Sequence, residues 1–141
     1  MKKGLILINA YMKSDAQFSQ AARMKAELEG LGVQIDVKRN DEFFATVLGN
    51  EIFAERAKAY DFCLYLDKDK YVSEMLEKAG LRLFNTHEAI RLCDDKMQTH
   101  IFLAGKGVPM PDTLPGLLCY EKTAKIAAAS IGIRIFFLRL I

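Results

Sequence analysis

Short apolar segments alternate with amphipathic helical patterns over the first 84 residues, and this alternation restricts the fold more than any other feature of the sequence. The run over 4–10 is almost continuously apolar, which is typical of a strand covered on both faces of a parallel sheet. A helical face follows and ends at Gly30 and Gly32; its apolar residues are Phe18, Ala21, Met24, Leu28 and Leu31.

The same alternation continues towards residue 84. Apolar and polar residues alternate over 33–37, which predicts a second, half-exposed strand. Further strands are predicted over 61–67 and 81–84, and the segment between them carries a short helical face. A helix is also predicted from the spacing of Ile52, Phe53, Arg56, Ala57 and Tyr60. The order β-α-β-α-β-α-β predicts an α/β fold with a parallel sheet flanked by helices.

The pattern changes after residue 84. Asn85, with Glu88 three residues later, indicates a capping box at the start of a short helix that ends at Leu92. Asp94 or Asp95 is expected to cap a second helix, which stops at two glycines near residue 106. Two successive helices with no strand between them predict a domain boundary near residue 93.

Composition excludes several classes of protein. The 141 residues carry a net charge of +2, which is too balanced for a nucleic-acid-binding surface. Three widely spaced cysteines fit buried, reduced thiols in the cytoplasm and form no zinc motif. No apolar run approaches the roughly 18 residues of a membrane span. We therefore expect a cytoplasmic protein that binds neither nucleic acid nor membrane.

Ordinary catalytic and nucleotide-binding motifs are absent from the sequence. The loop after the first strand contains no glycine, so the dinucleotide fingerprint is missing, and there is no P-loop. Asp67 at a strand end could be a phosphoacceptor, but that chemistry favours an acidic pair after the first strand, where Asn9 stands. His87 and His100 are interpreted as structural residues. No catalytic residue and no metal ligand is predicted.

The stretch over 84–113 carries a specific order of residues. Phe84-Asn85 ends a strand, a short helix follows, and Asp95-Lys96 opens a second helix; that helix closes on a Gly-x-Gly-x-Pro-x-Pro-x-Thr phrase over 105–113. This order resembles the ATP-grasp superfamily of carboxylate–amine ligases, in particular its RimK-like glutamate-ligase branch. The resemblance covers about residues 4–123.

The resemblance implies a division of the chain and a few site residues. A Rossmann-like preATP-grasp domain would span 1–92, and the start of an incomplete ATP-binding core would span 93–141. Lys96 would contact the ATP phosphates, with Asp95 in a structural role and Asn85 as a turn and cap residue. The loop that holds Asn9, Tyr11 and Lys13 would lie on the substrate side.

The family's chemistry implies the cofactors and partners. ATP phosphorylates a substrate carboxylate, and an amine then attacks the acyl phosphate. The resemblance therefore implies ATP, Mg²⁺, a small carboxylate and a small amine as ligands. It also implies a homodimer, since members of the family commonly dimerise.

The last 18 residues differ from the rest in composition. Residues 124–141 contain three basic and no acidic side chains. The family's second lysine is expected after the apolar run 136–138, where Arg139 stands one place later, and no glycine-rich loop or acidic cluster follows. This pattern predicts a truncated or frame-shifted product that is inactive alone.

Two alternatives stay open at the level of sequence. One is a stand-alone Rossmann-like binding or oligomerisation module that uses its apolar tail over 131–141 as an interface. The other is an intact small enzyme of a different class, which no nucleophile–base pair supports.

Overall fold

The computed structural model describes residues 1–42 and 44–113. The chain divides into two compact units, of which the first spans Met1–Asp95 and the second begins at Lys96. The part of the chain that the structure describes holds six strands: β1 (Lys3–Ile8), β2 (Gln34–Arg39), β3 (Thr46–Leu48), β4 (Glu51–Phe53), β5 (Phe62–Tyr65) and β6 (Arg82–Phe84). The four α-helices of the described residues are α1 (Asp15–Gly30), α2 (Lys70–Lys78), α3 (His87–Asp94) and α4 (Lys96–Leu103).

Four parallel strands form the sheet of the first unit, in the order β2-β1-β5-β6. The central strand β1 pairs along its whole length with β2, from Lys3 opposite Gln34 to Ile8 opposite Arg39. Its other edge pairs with β5, beginning at Gly4 opposite Phe62. The α/β class and the parallel sheet predicted from the alternation are therefore confirmed.

Both faces of β1 are covered, as its continuous apolar run predicts. Leu5 and Leu7 belong to one apolar cluster, which also holds Leu76 of α2 and Ile90 of α3. Ile6 and Ile8 point to the opposite face and belong to a second cluster, built with Ala21 of α1 and Ile35 of β2. One helix therefore lies on one face of the sheet and two helices lie on the other.

The predicted helix over 52–60 is wrong. Strands β3 and β4 form an antiparallel hairpin in this segment, closed by a two-residue turn whose first residue, Gly49, has a φ of +60°. A single 3-10 segment, Glu55–Ala59, follows the hairpin. Ala54 and Ala57 are buried in the same cluster as Leu5 and Leu7, so the segment still covers that face of the sheet.

The ends of the last two helices also differ in detail from expectation. Thr86, not Asn85, caps α3: its Oγ1 accepts a hydrogen bond from the backbone N of Ala89 at 3.2 Å. Helix α3 continues through Asp94, two residues past the expected end at Leu92, so Asp94 cannot cap the next helix. Helix α4 begins at Lys96, directly after Asp95.

Two compositional expectations concern residues that the structure describes. None of the helices in 1–42 and 44–113 is long and apolar enough to cross a membrane. Within the same ranges, no group of three His, Cys, Asp or Glu side chains is placed to hold a metal ion. The apolar tail over 131–141 lies outside the described residues.

Candidate functional site

The strand order reverses beside β1, and this reversal defines the candidate site. The chain leaves β1 through α1 to reach β2 on one side, whereas β5 leads through α2 to β6 on the other side. Open α/β sheets bind ligands at such a point, in the crevice outside the carboxyl ends of the strands. An open cavity of about 350 Å³ lies there, entirely within the first unit, and is lined by Met12, Gln17, Gln20, Leu66, Asp67, Lys68, Asn85, Ala89, Ile90, Cys93 and Asp94.

A buried carboxylate joins the ends of three neighbouring strands at this edge. Asp67, after β5, is only 6% exposed. Asn9, after β1, donates through Nδ2 to Oδ1 of Asp67 at 2.7 Å. Asn40, after β2, donates through Nδ2 to Oδ2 of the same carboxylate. The backbone N of Lys68 donates to Oδ1 at 2.7 Å, so both oxygens are engaged.

The two asparagines also hold the loop that follows β1. Oδ1 of Asn9 accepts from the backbone N of Tyr11 at 2.7 Å, and Oδ1 of Asn40 accepts from the backbone N of Ala10 at 2.8 Å. Of the residues in this network, Asp67 and Lys68 line the cavity. The network also speaks against a phosphoacceptor role for Asp67, because a nucleophilic carboxylate needs an accessible oxygen and both of these bind amide donors.

The structure places the predicted site residues at different positions. Asn9 lies at the carboxyl edge, within the network around Asp67. Tyr11 is 85% exposed and Lys13 is exposed, and only their neighbour Met12 lines the cavity. Lys96 is the exposed first residue of α4 in the second unit. The roles assigned to these four residues by resemblance stay predictions.

An ion pair that the sequence did not indicate lies on the cavity wall. Nζ of Lys68 is 2.8 Å from Oδ1 of Asp94, and the side chains are 82% and 46% exposed. The hydrogen bond to Asp94 raises the pKa of Lys68. A positive and a negative group therefore stand side by side on the cavity wall, both open to solvent. Lys68 lies three residues past the end of β5, directly after the strand predicted over 61–67, and that position was its signal in the sequence.

Asn85 forms the side of the cavity nearest β6. Its φ is +63°, in the left-handed region that asparagine tolerates better than most residues. Its Nδ2 donates to the backbone O of Tyr65 at 2.9 Å, which ties the turn after β6 to the end of β5. The predicted turn role of Asn85 is confirmed, although Thr86 supplies the cap.

The cysteines fall into two environments. Cys63 is fully buried, and burial raises the pKa of its thiol to about 12. Cys93 is exposed and lines the cavity beside Asp94, so the expectation of a buried thiol is wrong there. Cys119 lies outside the described residues.

The two histidines make their contacts away from the cavity. Nδ1 of His87 lies 3.2 Å from Oγ of Ser73, which is fully buried on α2. The backbone N of His87 donates to Oε1 of Glu77 at 3.1 Å, so His87 joins the start of α3 to α2. His100 contacts Thr113 within the second unit. Neither histidine lines the cavity.

Comparison with known proteins identifies the class of enzyme that the chain resembles. No family model matches the chain. Part of the chain is, however, similar in sequence to RimK-type ATP-grasp ligases, which confirms the resemblance predicted from the sequence.

Three relatives illustrate the similarity. Beta-citrylglutamate synthase B of Mus musculus is 40% identical over 86 residues, which cover 52% of this chain and 22% of that protein. N-acetylaspartylglutamate synthase A of Homo sapiens is 51% identical over 47 residues, or 33% of this chain and 12% of that protein. Glutamate–LysW ligase ArgX of Sulfolobus acidocaldarius is 41% identical over 44 residues, or 31% of this chain and 16% of that protein. The chain thus matches between 12% and 22% of the length of these relatives.

Proposed function

We propose that the chain is the N-terminal portion of an ATP-dependent ligase that joins a carboxylate to the amino group of glutamate. The observation that carries this proposal is the similarity to three ligases and synthases whose names all include glutamate. The parallel sheet supports it, since its strand order provides a ligand-binding crevice at the carboxyl edge.

The proposal assigns different tasks to the two parts of the chain. Residues 1–92 form the preATP-grasp domain, and 93–141 form the start of the ATP-binding core. Lys96 contacts the ATP phosphates, for which an exposed ammonium on a long, flexible stem at the start of α4 is suited. The loop over 9–13 faces the substrates.

The reaction proceeds through an acyl phosphate, as in the family that the sequence resembles. A carboxylate oxygen attacks the γ-phosphorus of ATP and releases ADP. The amine of glutamate then attacks the acyl carbon. This attack forms the amide bond and releases phosphate. Mg²⁺ would neutralise the phosphate charge in this chemistry. Within residues 1–42 and 44–113, no group of three His, Cys, Asp or Glu side chains is placed to hold a metal ion.

We expect this chain alone to lack ligase activity. It matches at most 22% of the length of the relatives named above, and the described residues supply a single candidate phosphate contact, Lys96. The alternative, a stand-alone binding or oligomerisation module, depends on the tail over 131–141, which lies outside the described residues.

Titration calorimetry with ATP and magnesium tests the proposal. We expect ATP to bind weakly, with a dissociation constant of about 1 mM. The Lys96→Ala substitution should lower the affinity for ATP by about three- to tenfold, since a charge-assisted contact contributes about 1 kcal/mol. Lys106→Ala is the matched control, because Lys106 is an exposed lysine of the same unit whose Nζ lies over the ring of Phe102. ATP binding that is equally strong without Lys96 would contradict the proposed role of Lys96, whereas a folded chain that binds no ATP would fit an incomplete core and the binding module equally well.

A further inference from the structure

We propose that the cavity at the carboxyl edge binds the zwitterionic end of an α-amino acid, with Lys68 contacting the α-carboxylate and Asp94 contacting the α-ammonium group. The choice of glutamate as that amino acid rests on the proposed function. The site itself rests on the geometry of the first unit.

The Lys68–Asp94 pair has the chemistry that a zwitterion requires. Nζ and Oδ1 are 2.8 Å apart, and the side chains are 82% and 46% exposed. Exposed ion pairs contribute little to stability. The pair can therefore open at small cost to the fold. Each charge then meets the opposite charge of a ligand whose carboxylate and ammonium groups are attached to the same carbon.

The backbone that carries the two charges is held firmly. Lys68 follows Asp67, whose buried carboxylate binds the backbone N of Lys68 as well as two asparagine side chains. Asp94 lies at the end of α3, a helix fixed by its capped start and by buried Ile90. A site whose backbone is already ordered loses less entropy on binding.

The balance of charge favours a zwitterion over an anion. Three charged side chains line the cavity, namely Asp67, Lys68 and Asp94. Both oxygens of Asp67 are engaged by amide donors, which leaves one positive and one negative group for a ligand. A phosphate or a simple carboxylate would bind Lys68 but would be repelled by the carboxylate of Asp94.

The remaining space fits a short polar side chain. The cavity volume of about 350 Å³ lies at the lower end of the range for small-molecule sites. Gln17 and Gln20 lie three residues apart on α1, so their amides project from the same side of the helix into the cavity wall. Amide N–H groups on the cavity wall can donate hydrogen bonds to the second carboxylate of glutamate.

Cys93 provides a direct readout of occupancy. It is an exposed thiol on the cavity wall, whereas Cys63 is buried and its pKa is raised to about 12, so Cys63 reacts slowly. A Cys119→Ser chain removes the third thiol. We expect L-glutamate to slow the alkylation of Cys93 by iodoacetamide, by about tenfold when its concentration is about ten times its dissociation constant.

Two pairs of variants separate the site from a general effect. Lys68→Met and Asp94→Asn should each abolish the protection of Cys93, measured as the ratio of rates with and without glutamate in the same variant. Lys78→Met and Glu74→Gln should retain it, because that pair is also exposed, with 2.7 Å between the charged atoms, but lies on α2 away from the cavity.

A comparison of two ligands tests whether the site requires the ammonium group. Glutarate, which has the two carboxylates but no ammonium group, should protect Cys93 at least several-fold less than glutamate. Equal protection by glutarate, or no protection by any α-amino acid, would overturn the inference. Neither result depends on ATP, so a failure here is distinguishable from a failure of the Lys96-dependent ATP titration.

Discussion

Asp67 shows how one side chain can join the ends of three neighbouring strands. Its carboxylate accepts hydrogen bonds from amides that follow β1 and β2 and from its own next backbone N–H. Each donor comes from a different segment, and Asp67 itself follows β5. The acceptor oxygens of a carboxylate can accept a hydrogen bond from every surrounding donor. A group that carried its own N–H at this position would place a donor against a donor.

Replacing Asp67 by Asn should therefore destabilise the fold although the shape is conserved. The new amide NH₂ would face a donor, and the free energy of unfolding should fall by about 2 kcal/mol, measured by urea denaturation. Asp61→Asn is the matched control, because the exposed carboxylate of Asp61 accepts only from the backbone N of Lys3, at 2.7 Å, among the contacts of the described residues. A similar loss in both variants would contradict a special role for the buried network.

The sequence located one half of this network and missed the other. The family resemblance places Asn9 in the loop on the substrate side. Asn40 was missed, since it lies 27 residues from Asp67 along the chain and only the parallel pairing of β2 with β1 brings it to the same edge. The Lys68–Asp94 pair was missed for the same reason: its two residues meet through the packing of α3, which no local pattern encodes.

At the scale of elements, the N-terminal caps of α1 and α2 make a testable contrast. Oδ1 of Asp69 accepts from the backbone N of Tyr71 at 2.9 Å and from that of Val72 at 3.1 Å. Ser14 occupies the equivalent position of α1, but its side chain makes no capping hydrogen bond. Asp69→Ala should lower the free energy of unfolding by about 1 kcal/mol, and Ser14→Ala should change it by only a few tenths.

Thermal and urea unfolding of the two cap variants would check this expectation. Because both positions precede a helix and both substitutions end at alanine, helix propensity affects them similarly. An equal effect at the two positions would show that the cap hydrogen bonds of Asp69 do not stabilise α2.

The prediction of a helix over 52–60 was wrong for a physical reason. The spacing of Ile52, Ala57 and Tyr60 satisfies a helical face, but it also satisfies a strand followed by a 3-10 segment. The hairpin forms instead of the helix because Gly49 supplies the positive φ that the tight turn needs. Burial of Ala54 and Ala57 against the central strand then decides the path of the chain, and this is a long-range contact. Long, regular elements such as β1 and α1 were predictable because their patterns allow one solution.

At the scale of the whole molecule, the two apolar clusters explain why the sheet stands between two layers. The continuous run of β1 supplies residues to both clusters in alternation. That feature was visible in the sequence, and together with the alternation of strands and helices it predicted a parallel sheet. The strand order and the position of the cavity could not be predicted from the sequence, because they depend on the side of β1 to which each connection leads.

A chain that ends at Asp95 is expected to fold by itself. All described residues of the two apolar clusters lie within 1–95, and so do all four strands of the sheet. Such a chain should unfold cooperatively in urea and keep the near-ultraviolet circular dichroism of its buried tyrosine, Tyr65. A chain that ends at Gly80 is the control: it lacks β6 and α3, and with them the buried side chains of Leu81, Leu83 and Ile90, so it should show no cooperative transition. If the 95-residue chain also failed to unfold cooperatively, the first unit would not be an independent domain, and the proposed division of the protein into a substrate-side domain and a nucleotide-binding core would lose its structural basis.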